Sequence, residues 1–251
     1  MSLKSSYDYI IVGGGLAGLL LGWELNKRNK SFVIFSNNQP ASSSVAAGTW
    51  NPITFRKMIP TWRAQEMIDK MLEVYSEIET VLDTQLLKMI DVEKVLANEQ
   101  EIDFWKTQAL TDISKDFLNS DPHIINLKGE ERYAGIVKQT GRLDLPEFLT
   151  LLRKYFANLE LLVNENFDYN NISITGEAVS YKTIKTDKIL FAEGTYTSNN
   201  PYFSWLPFKG TKGDILTIKS ADLKVDKIRK KNIFILPIGN DVYKVGATYD
   251  W

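Results

Sequence analysis

Three glycines near the start of the chain have the spacing of a phosphate-binding turn. Gly13, Gly15 and Gly18 follow the apolar run Tyr9–Val12 and overlap the start of a second apolar segment, Leu16–Asn26. Between a strand and a helix, the first glycine permits a tight turn, the second lets the backbone approach a diphosphate, and the third lets the helix pack closely on the strand. The N–H groups at the helix start attract the negative charge. The predicted phosphate-binding residues are Gly13, Gly15, Leu16, Ala17 and Gly18.

The next predicted strand ends without the acidic residue that such sites commonly use. The run Ser31–Phe35 lies at the expected distance from the glycines, where an Asp or Glu would bind the ribose hydroxyls. This chain has Ser36, Asn37 and Asn38 instead. These side chains can hydrogen-bond a hydroxyl, but without the charge-assisted strength of a carboxylate. We expect Ser36 and Asn37 to contact the ribose.

Composition excludes several classes of function. The chain has 251 residues, 44% hydrophobic content and a net charge of −1, which fit one large or two smaller domains. It has no cysteine, which excludes disulfides and thiolate chemistry and favours a cytoplasmic protein. The single histidine, His123, is predicted on a surface loop, and one imidazole cannot form a metal site.

Neither a nucleic acid nor a membrane is indicated as a partner. The basic cluster Lys227, Arg229, Lys230 and Lys231 is more typical of a solvated loop or sheet edge in a nearly neutral chain. No stretch reaches the roughly 18 to 20 apolar residues of a membrane span.

Periodicity predicts the elements that would support such a site. Helices are expected over Met67–Leu82 and Glu99–Trp105, and from Asp144 to Phe156. Further strands are expected at Leu86–Val92, Leu159–Val163, Ile172–Thr175, Lys188–Phe191, Gly213–Ile218, Ile233–Leu236 and Val242–Val245, the last two as a hairpin. The Ser/Ala/Gly-rich run Ser42–Thr54 reads by composition as a flexible linker, although small residues can also lie close to a ligand.

In this order the segments resemble the FAD-dependent oxidoreductases of the D-amino-acid oxidase type, which include glycine oxidase and sarcosine oxidase. The matching segments are Asp8–Gly18, Ser44–Trp50, Gly141–Asp144, Ile189–Gly194, Pro207–Gly210, Leu236–Pro237 and Val245–Tyr249.

The resemblance implies an α/β protein, α+β overall, with a Rossmann-like FAD domain and a mixed β-sheet substrate domain. It implies that residues 1–82 and 137–204 form the FAD domain and that residues 83–136 and 205–251 form the substrate domain. In the family a further glycine-rich segment and a closing helix follow the last matching strand, so this chain is expected to lack the C-terminal part of the FAD domain.

The resemblance also adds cofactor-binding residues and reverses the linker interpretation. Those implied to contact the diphosphate and flavin are Ser44, Ala46, Ala47, Gly48 and Thr49, and those implied to lie beside the diphosphate are Ala192 and Gly194.

The implied reaction is hydride transfer to flavin N5 from a small amine or amino acid, at a carbon that bears an amine or, as an alternative, a hydroxyl. Candidate catalytic residues, chosen by position only, are Tyr243, Tyr249, Arg132 and Trp50, and a packing or surface role explains each of them more simply. Two alternatives stay open. One is a flavin domain that acts on a modified tRNA nucleoside, and the other is a non-catalytic protein that keeps the fold without the flavin.

Overall fold

The computed structural model describes residues 3–37, 41–127, 129–176 and 178–248. The helices are α1 (Leu16–Lys27), α2 (Ser42–Val45), α3 (Ala64–Leu82), α4 (Glu99–Ala109) and α5 (Leu145–Asn158). The strands are β1 (Ser6–Val12), β2 (Phe32–Ser36), β3 (Thr49–Trp50), β4 (Ile53–Thr54), β5 (Ile59–Pro60), β6 (Leu87–Met89), β7 (Val92–Val95), β8 (His123–Leu127), β9 (Glu130–Val137), β10 (Gly141–Leu143), β11 (Leu162–Asn164), β12 (Ile172–Thr175), β13 (Ala178–Tyr181), β14 (Ile184–Phe191), β15 (Ile215–Lys219), β16 (Ile228–Lys230), β17 (Phe234–Gly239) and β18 (Val242–Gly246). Short 3₁₀ helices cover Tyr169–Asn171 and Gly194–Asn199.

The described chain divides into two compact units, and each is built from two separate segments. The first unit is Met1–Ala46 with Leu145–Gly210, and the second is Ala47–Asp144 with Thr211–Trp251. Parallel and antiparallel strands combine with helices, which confirms the predicted α/β, overall α+β, fold class.

The first unit is a six-stranded sheet with the order β11-β2-β1-β14-β13-β12. The strands β11, β2, β1 and β14 are parallel, so their carboxyl ends meet at one edge. Successive side chains of β2 point to opposite faces. Phe32 packs edge-on against Phe156 of α5, whereas Phe35 packs against Tyr181 in a second apolar cluster. Apolar packing on both faces explains why residues 32–35 of β2 form an unbroken apolar run.

The second unit contains a seven-stranded sheet with the order β15-β18-β17-β16-β7-β9-β8. Its core surrounds Trp105, which is fully buried and whose indole N–H donates to the Asn119 carbonyl at 2.9 Å. Gly135 lies directly beneath this indole, and a Cβ there would overlap the ring. The predicted hairpin of β17 and β18 is present.

The predicted domain boundaries differ from this division. Residues 47–82 and 137–144 lie in the second unit and not with the first, and residues 205–210 lie in the first. The reason is packing, because Ile68 of α3 shares a core with Trp105 and Val137. The strand β10 also pairs with β3 and β6 of the second unit. The assignment of the two units as cofactor and substrate domains stays a prediction.

Two local predictions differ from the structure, and both residues involved contact the buried carboxylate of Glu93. His123 is exposed, as predicted, but it lies on strand β8 and not on a loop, and its Nε2 is 3.1 Å from Oε1 of Glu93. The basic cluster includes β16, an interior strand between β17 and β7. There Arg229 donates to Glu93 Oε2 through Nε and approaches the same oxygen with Nη2, at 2.7 and 2.6 Å.

We expect Glu93→Gln to lower the free energy of unfolding by roughly 3 kcal/mol, because it leaves the Arg229 guanidinium beside a neutral group in a buried site. Urea denaturation measures this change. The matched control is Glu130→Gln on β9, which removes an exposed ion pair with Arg132 and should change stability by less than about 1 kcal/mol. Equal effects of the two substitutions would contradict a stabilising role for the Glu93 cluster.

Within the described ranges, no helix is both long and apolar enough to cross a bilayer. In the same ranges, no group of three or more His, Asp or Glu side chains could hold a metal ion.

Candidate functional site

A cavity of about 820 Å³ opens at the carboxyl edge of the first unit's sheet. Its walls are the turn after β1, the ends of β2, β11 and β14, and the N-terminal end of α2. This edge is where open parallel sheets bind their ligands. The volume is in the range of pockets that enclose small molecules and cofactors.

Glycine is required at two positions of the turn because the backbone is crowded. Gly13 has φ +115°, and a Cβ there would overlap the Ala192 carbonyl oxygen. A Cβ on Gly18 would overlap the Gly13 carbonyl oxygen, so this glycine sets how closely α1 packs on β1. Gly13 N donates to Phe35 O and Ala192 N to Val12 O, at 2.9 and 2.7 Å, which fixes the turn against β2 and β14.

Gly15 differs from Gly13 and Gly18, because no backbone atom crowds the position of a Cβ there. A Cβ on Gly15 would meet only the Ser43 hydroxyl oxygen, at 3.1 Å. Gly15 is also the N-cap of α1 and offers no side-chain cap to the helix. The first-turn N–H groups of a helix have no intrahelical acceptor. Leu16 N makes a long 3.4 Å contact to Ser43 Oγ. This end of α1 can therefore accept an anion.

The end of β2 explains the serine found there. Ser36 is buried, and its Oγ packs so closely on Gly14 that a Cβ on Gly14 would overlap it. An Asp or Glu at position 36 would be bulkier in the same space. Next to it, Asn37 Nδ2 donates to Asn166 Oδ1 at 2.7 Å, and both residues line the cavity. Asn38 lies outside the described residues.

Arg153 of α5 reaches the glycine turn from the helix side. Its Nε and Nη2 donate to the Gly14 carbonyl oxygen at 2.9 and 2.7 Å. Burial lowers the pKa of the guanidinium from its usual range. Arg153 therefore brings a partly buried positive charge to the wall of the cavity.

Two acidic residues also line the cavity, and both are held by neighbours. Glu193 accepts from Tyr169 Oη and from Asn200 Nδ2, the latter at 2.6 Å. Burial and the bond to Glu193 raise the pKa of the Tyr169 hydroxyl, which keeps it a proton donor. Glu165, which follows β11, forms an ion pair with Lys182.

The comparisons with known proteins decide the family. The model of the FAD dependent oxidoreductase family, called DAO, matches residues 8–251. The chain belongs to this family. FAD, the predicted cofactor, is the cofactor of the family.

Three proteins that are similar to this chain differ in the activities that their names state. Glycine oxidase from Geobacillus kaustophilus superposes with a TM-score of 0.75 at 20% identity, over 98% of this chain and 72% of that chain, which shows a shared fold. One subunit of the anaerobic glycerol-3-phosphate dehydrogenase of Haemophilus influenzae is 31% identical over 98 residues, or 39% of this chain and 22% of that protein.

The third is the tRNA 5-methylaminomethyl-2-thiouridine biosynthesis bifunctional protein MnmC of Legionella pneumophila. It is 24% identical over 267 residues, which cover 98% of this chain and 38% of that protein. The chain thus spans well under two thirds of the length of this protein and of the dehydrogenase subunit.

The structure brings most of the predicted cofactor residues of this family member to the cavity. Those that line it are Gly13, Gly15, Leu16, Ala17, Ser36, Asn37, Ala192 and Gly194. Gly18 lies behind the turn and sets its packing. Arg153, Tyr169 and Glu193 also line the cavity, and no sequence pattern singled them out.

The predicted run Ser44–Thr49 is divided between the units. Ala41, Ser42 and Ser43 line the cavity, while Ser44 and Ala46 of the same unit are not among the lining residues. Residues 47–49 belong to the second unit, in which Ala47 is buried in the core and Thr49 begins β3. Contacts of Ser44, Ala46, Ala47, Gly48 and Thr49 with FAD stay predictions.

The candidate catalytic residues have structural partners in the second unit. The Tyr243 hydroxyl donates a hydrogen bond to the Leu223 carbonyl, and Trp50 Nε1 donates to Gln139 O at 3.0 Å. Arg132 is exposed and paired with Glu130. Tyr249 lies outside the described residues. These contacts account for the described three without a catalytic role.

Proposed function

We propose that this chain binds FAD in the first-unit cavity and that the protein oxidises a small amine or amino acid. The observation that carries the proposal is the glycine turn: crowded backbone at Gly13 and Gly18, an open side at Gly15, and an uncapped helix start beside it. This arrangement matches what a dinucleotide diphosphate requires.

The residues that line the cavity fit the adenine dinucleotide part of FAD. The amides of Gly15, Leu16 and Ala17 would hold the diphosphate at the start of α1. Ser36 and Asn37, at the end of β2, would hydrogen-bond the ribose hydroxyls. Ala192 and Gly194 would let backbone approach the diphosphate from β14. FAD, when bound, supplies the acceptor for a hydride, and the protein binds and orients the reactants.

The amine or amino-acid substrate is supported by the sequence relative that aligns with nearly the whole chain. The tRNA methylaminomethyl-thiouridine protein aligns with 98% of this chain, whereas the glycerol-3-phosphate dehydrogenase subunit aligns with 39%. The fold itself is shared with both a glycine oxidase and an L-alpha-glycerophosphate oxidase over nearly the whole chain, so the choice of an amine over a hydroxyl substrate rests on this sequence relative. A cytoplasmic location, expected from the absence of cysteine, stays a prediction.

The visible absorption spectrum tests cofactor binding directly. After addition of FAD and removal of the unbound cofactor, the protein should retain flavin bands near about 370 and 450 nm. Glycine, other amino acids and secondary amines should then bleach the 450 nm band under anaerobic conditions. Glycerol 3-phosphate is the matched hydroxyl substrate and should not. A protein that takes up no FAD would contradict the proposal and support the non-catalytic alternative.

A modified tRNA nucleoside is the second candidate substrate, because the tRNA-modifying relative aligns with nearly the whole chain. The basic cluster offers little support, since Arg229 is bound to Glu93 and Lys227 contacts Asp226. A tRNA mobility-shift assay at two salt concentrations separates the candidates. We expect no salt-sensitive complex, and a tight one would favour the tRNA substrate.

A further inference from the structure

Arg153 is the one cationic side chain among the described residues that line the cavity. It is half-buried, and it donates two hydrogen bonds to the neutral carbonyl of Gly14. Within the described ranges, no carboxylate forms an ion pair with it. A guanidinium carries five N–H donors, so the bonds to Gly14 leave donors for a further acceptor.

The acidic side chains of the cavity wall do not neutralise this charge. Glu165 forms an ion pair with Lys182, and Glu193 accepts hydrogen bonds from Tyr169 and Asn200. Arg153 is therefore a cation of the cavity wall that has no opposite charge as a partner in the described structure.

An unpaired, partly buried guanidinium favours the binding of an anion next to it. A partly buried cation without a counter-charge is costly, and an anion that hydrogen-bonds it offsets this cost. The lowered pKa of Arg153 has the same origin, since burial disfavours the charged form. Arginine forms strong, directional hydrogen bonds with phosphate oxygens.

We propose that Arg153 binds a phosphate group of the adenine nucleotide and is a cofactor-binding residue of this chain. The inference rests on the proposed function, because it requires an adenine nucleotide in the cavity. It adds a charged side chain to a phosphate site otherwise made of backbone N–H groups.

The position of Arg153 indicates which phosphate it meets. Its contacts are to Gly14, inside the glycine turn that would receive the 5′-diphosphate. Its Nε is also 3.9 Å from the place where a Gly14 Cβ would lie, next to Ser36 at the ribose end. We assign the contact to the 5′-diphosphate, and a phosphate on the ribose 2′ position is the source to be distinguished from it.

The experiment compares Arg153→Met and Arg153→Lys in the full chain by titration calorimetry with ADP, adenosine and 2′,5′-ADP. We expect Arg153→Met to weaken ADP binding about tenfold, which corresponds to about 1.4 kcal/mol, and to change adenosine binding less than about twofold. Arg153→Lys should recover part of the ADP affinity. The dependence of ADP binding on salt should also become shallower in Arg153→Met.

Lys154→Met is the matched control, since Lys154 is the next residue of α5, is exposed and does not line the cavity. It removes the same charge and should leave ADP binding unchanged.

The outcomes separate the inference from the function on which it rests. If the unmodified chain binds neither FAD nor ADP, the proposed function fails. If the chain binds ADP and Arg153→Met binds it equally well, or loses ADP and adenosine to the same extent, the inference is overturned, because Arg153 then acts only on the shape of the turn. A loss confined to 2′,5′-ADP would overturn the assignment to the diphosphate.

Discussion

Gly18→Ala is expected to lower the free energy of unfolding by about 3 kcal/mol. The added methyl group would overlap the Gly13 carbonyl oxygen, a backbone atom of the same tight turn. Backbone cannot move aside as a flexible side chain can, so α1 must shift away from β1. That shift would loosen the packing of Leu19 and Trp23, two buried side chains of α1. Urea denaturation followed by far-UV circular dichroism measures the change.

Gly210→Ala is the matched control, because a Cβ on Gly210 meets nothing within 4 Å. It lies in the same unit and should change stability by less than about 0.5 kcal/mol. If Gly18→Ala were as stable as Gly210→Ala, the close approach of α1 to the turn would be wrong.

Gly15→Ala is expected to affect cofactor binding and not stability, in contrast to Gly18→Ala. Its free energy of unfolding should stay nearly normal, while its FAD affinity falls at least about 30-fold. Gly15 has φ −81°, which alanine adopts without strain, and its Cβ would meet only the Ser43 hydroxyl at 3.1 Å. The methyl group would stand where the diphosphate must approach the backbone. Loss of about 2 kcal/mol of charge-assisted hydrogen bonding corresponds to this factor. Quenching of flavin fluorescence measures the affinity.

The double variant Gly15→Ala with Ser43→Ala identifies the cause of the loss. If the methyl group acted only by displacing the Ser43 hydroxyl, the second substitution would relieve the crowding and restore binding. We expect no restoration, because the diphosphate itself is excluded. Unchanged FAD affinity in Gly15→Ala would place the diphosphate away from the start of α1 and would remove the main support for the proposed site.

Local patterns were enough to predict the site's framework. The strand, turn and helix over residues 6–27 follow from an apolar run, three glycines and a second apolar segment, all adjacent in sequence. The hairpin of β17 and β18 follows from its turn residues in the same way. Such features depend on neighbours along the chain, so the sequence contains what is needed to predict them.

Features that depend on distant partners were not predictable. Arg153 lies beside Lys154 on a helix and looks like any other polar surface residue. Its contact with the glycine turn exists only because Gly14, 139 positions earlier in the chain, lies next to it in the fold. The contacts of His123 and Arg229 with Glu93 were not predictable for the same reason. Nothing in their own segments indicates that Glu93 would supply a buried carboxylate to both.

The central position of β1 affects how the protein can fold during synthesis. This strand pairs with β2 on one side and with β14 on the other. About 170 residues separate Val12 from Ile184, including much of the second unit. At roughly 5 to 20 residues per second, the ribosome needs about 10 to 30 s to produce the second partner. Throughout that interval the nascent chain carries an apolar strand with one unpaired edge, which invites aggregation and gives chaperones a segment to shield.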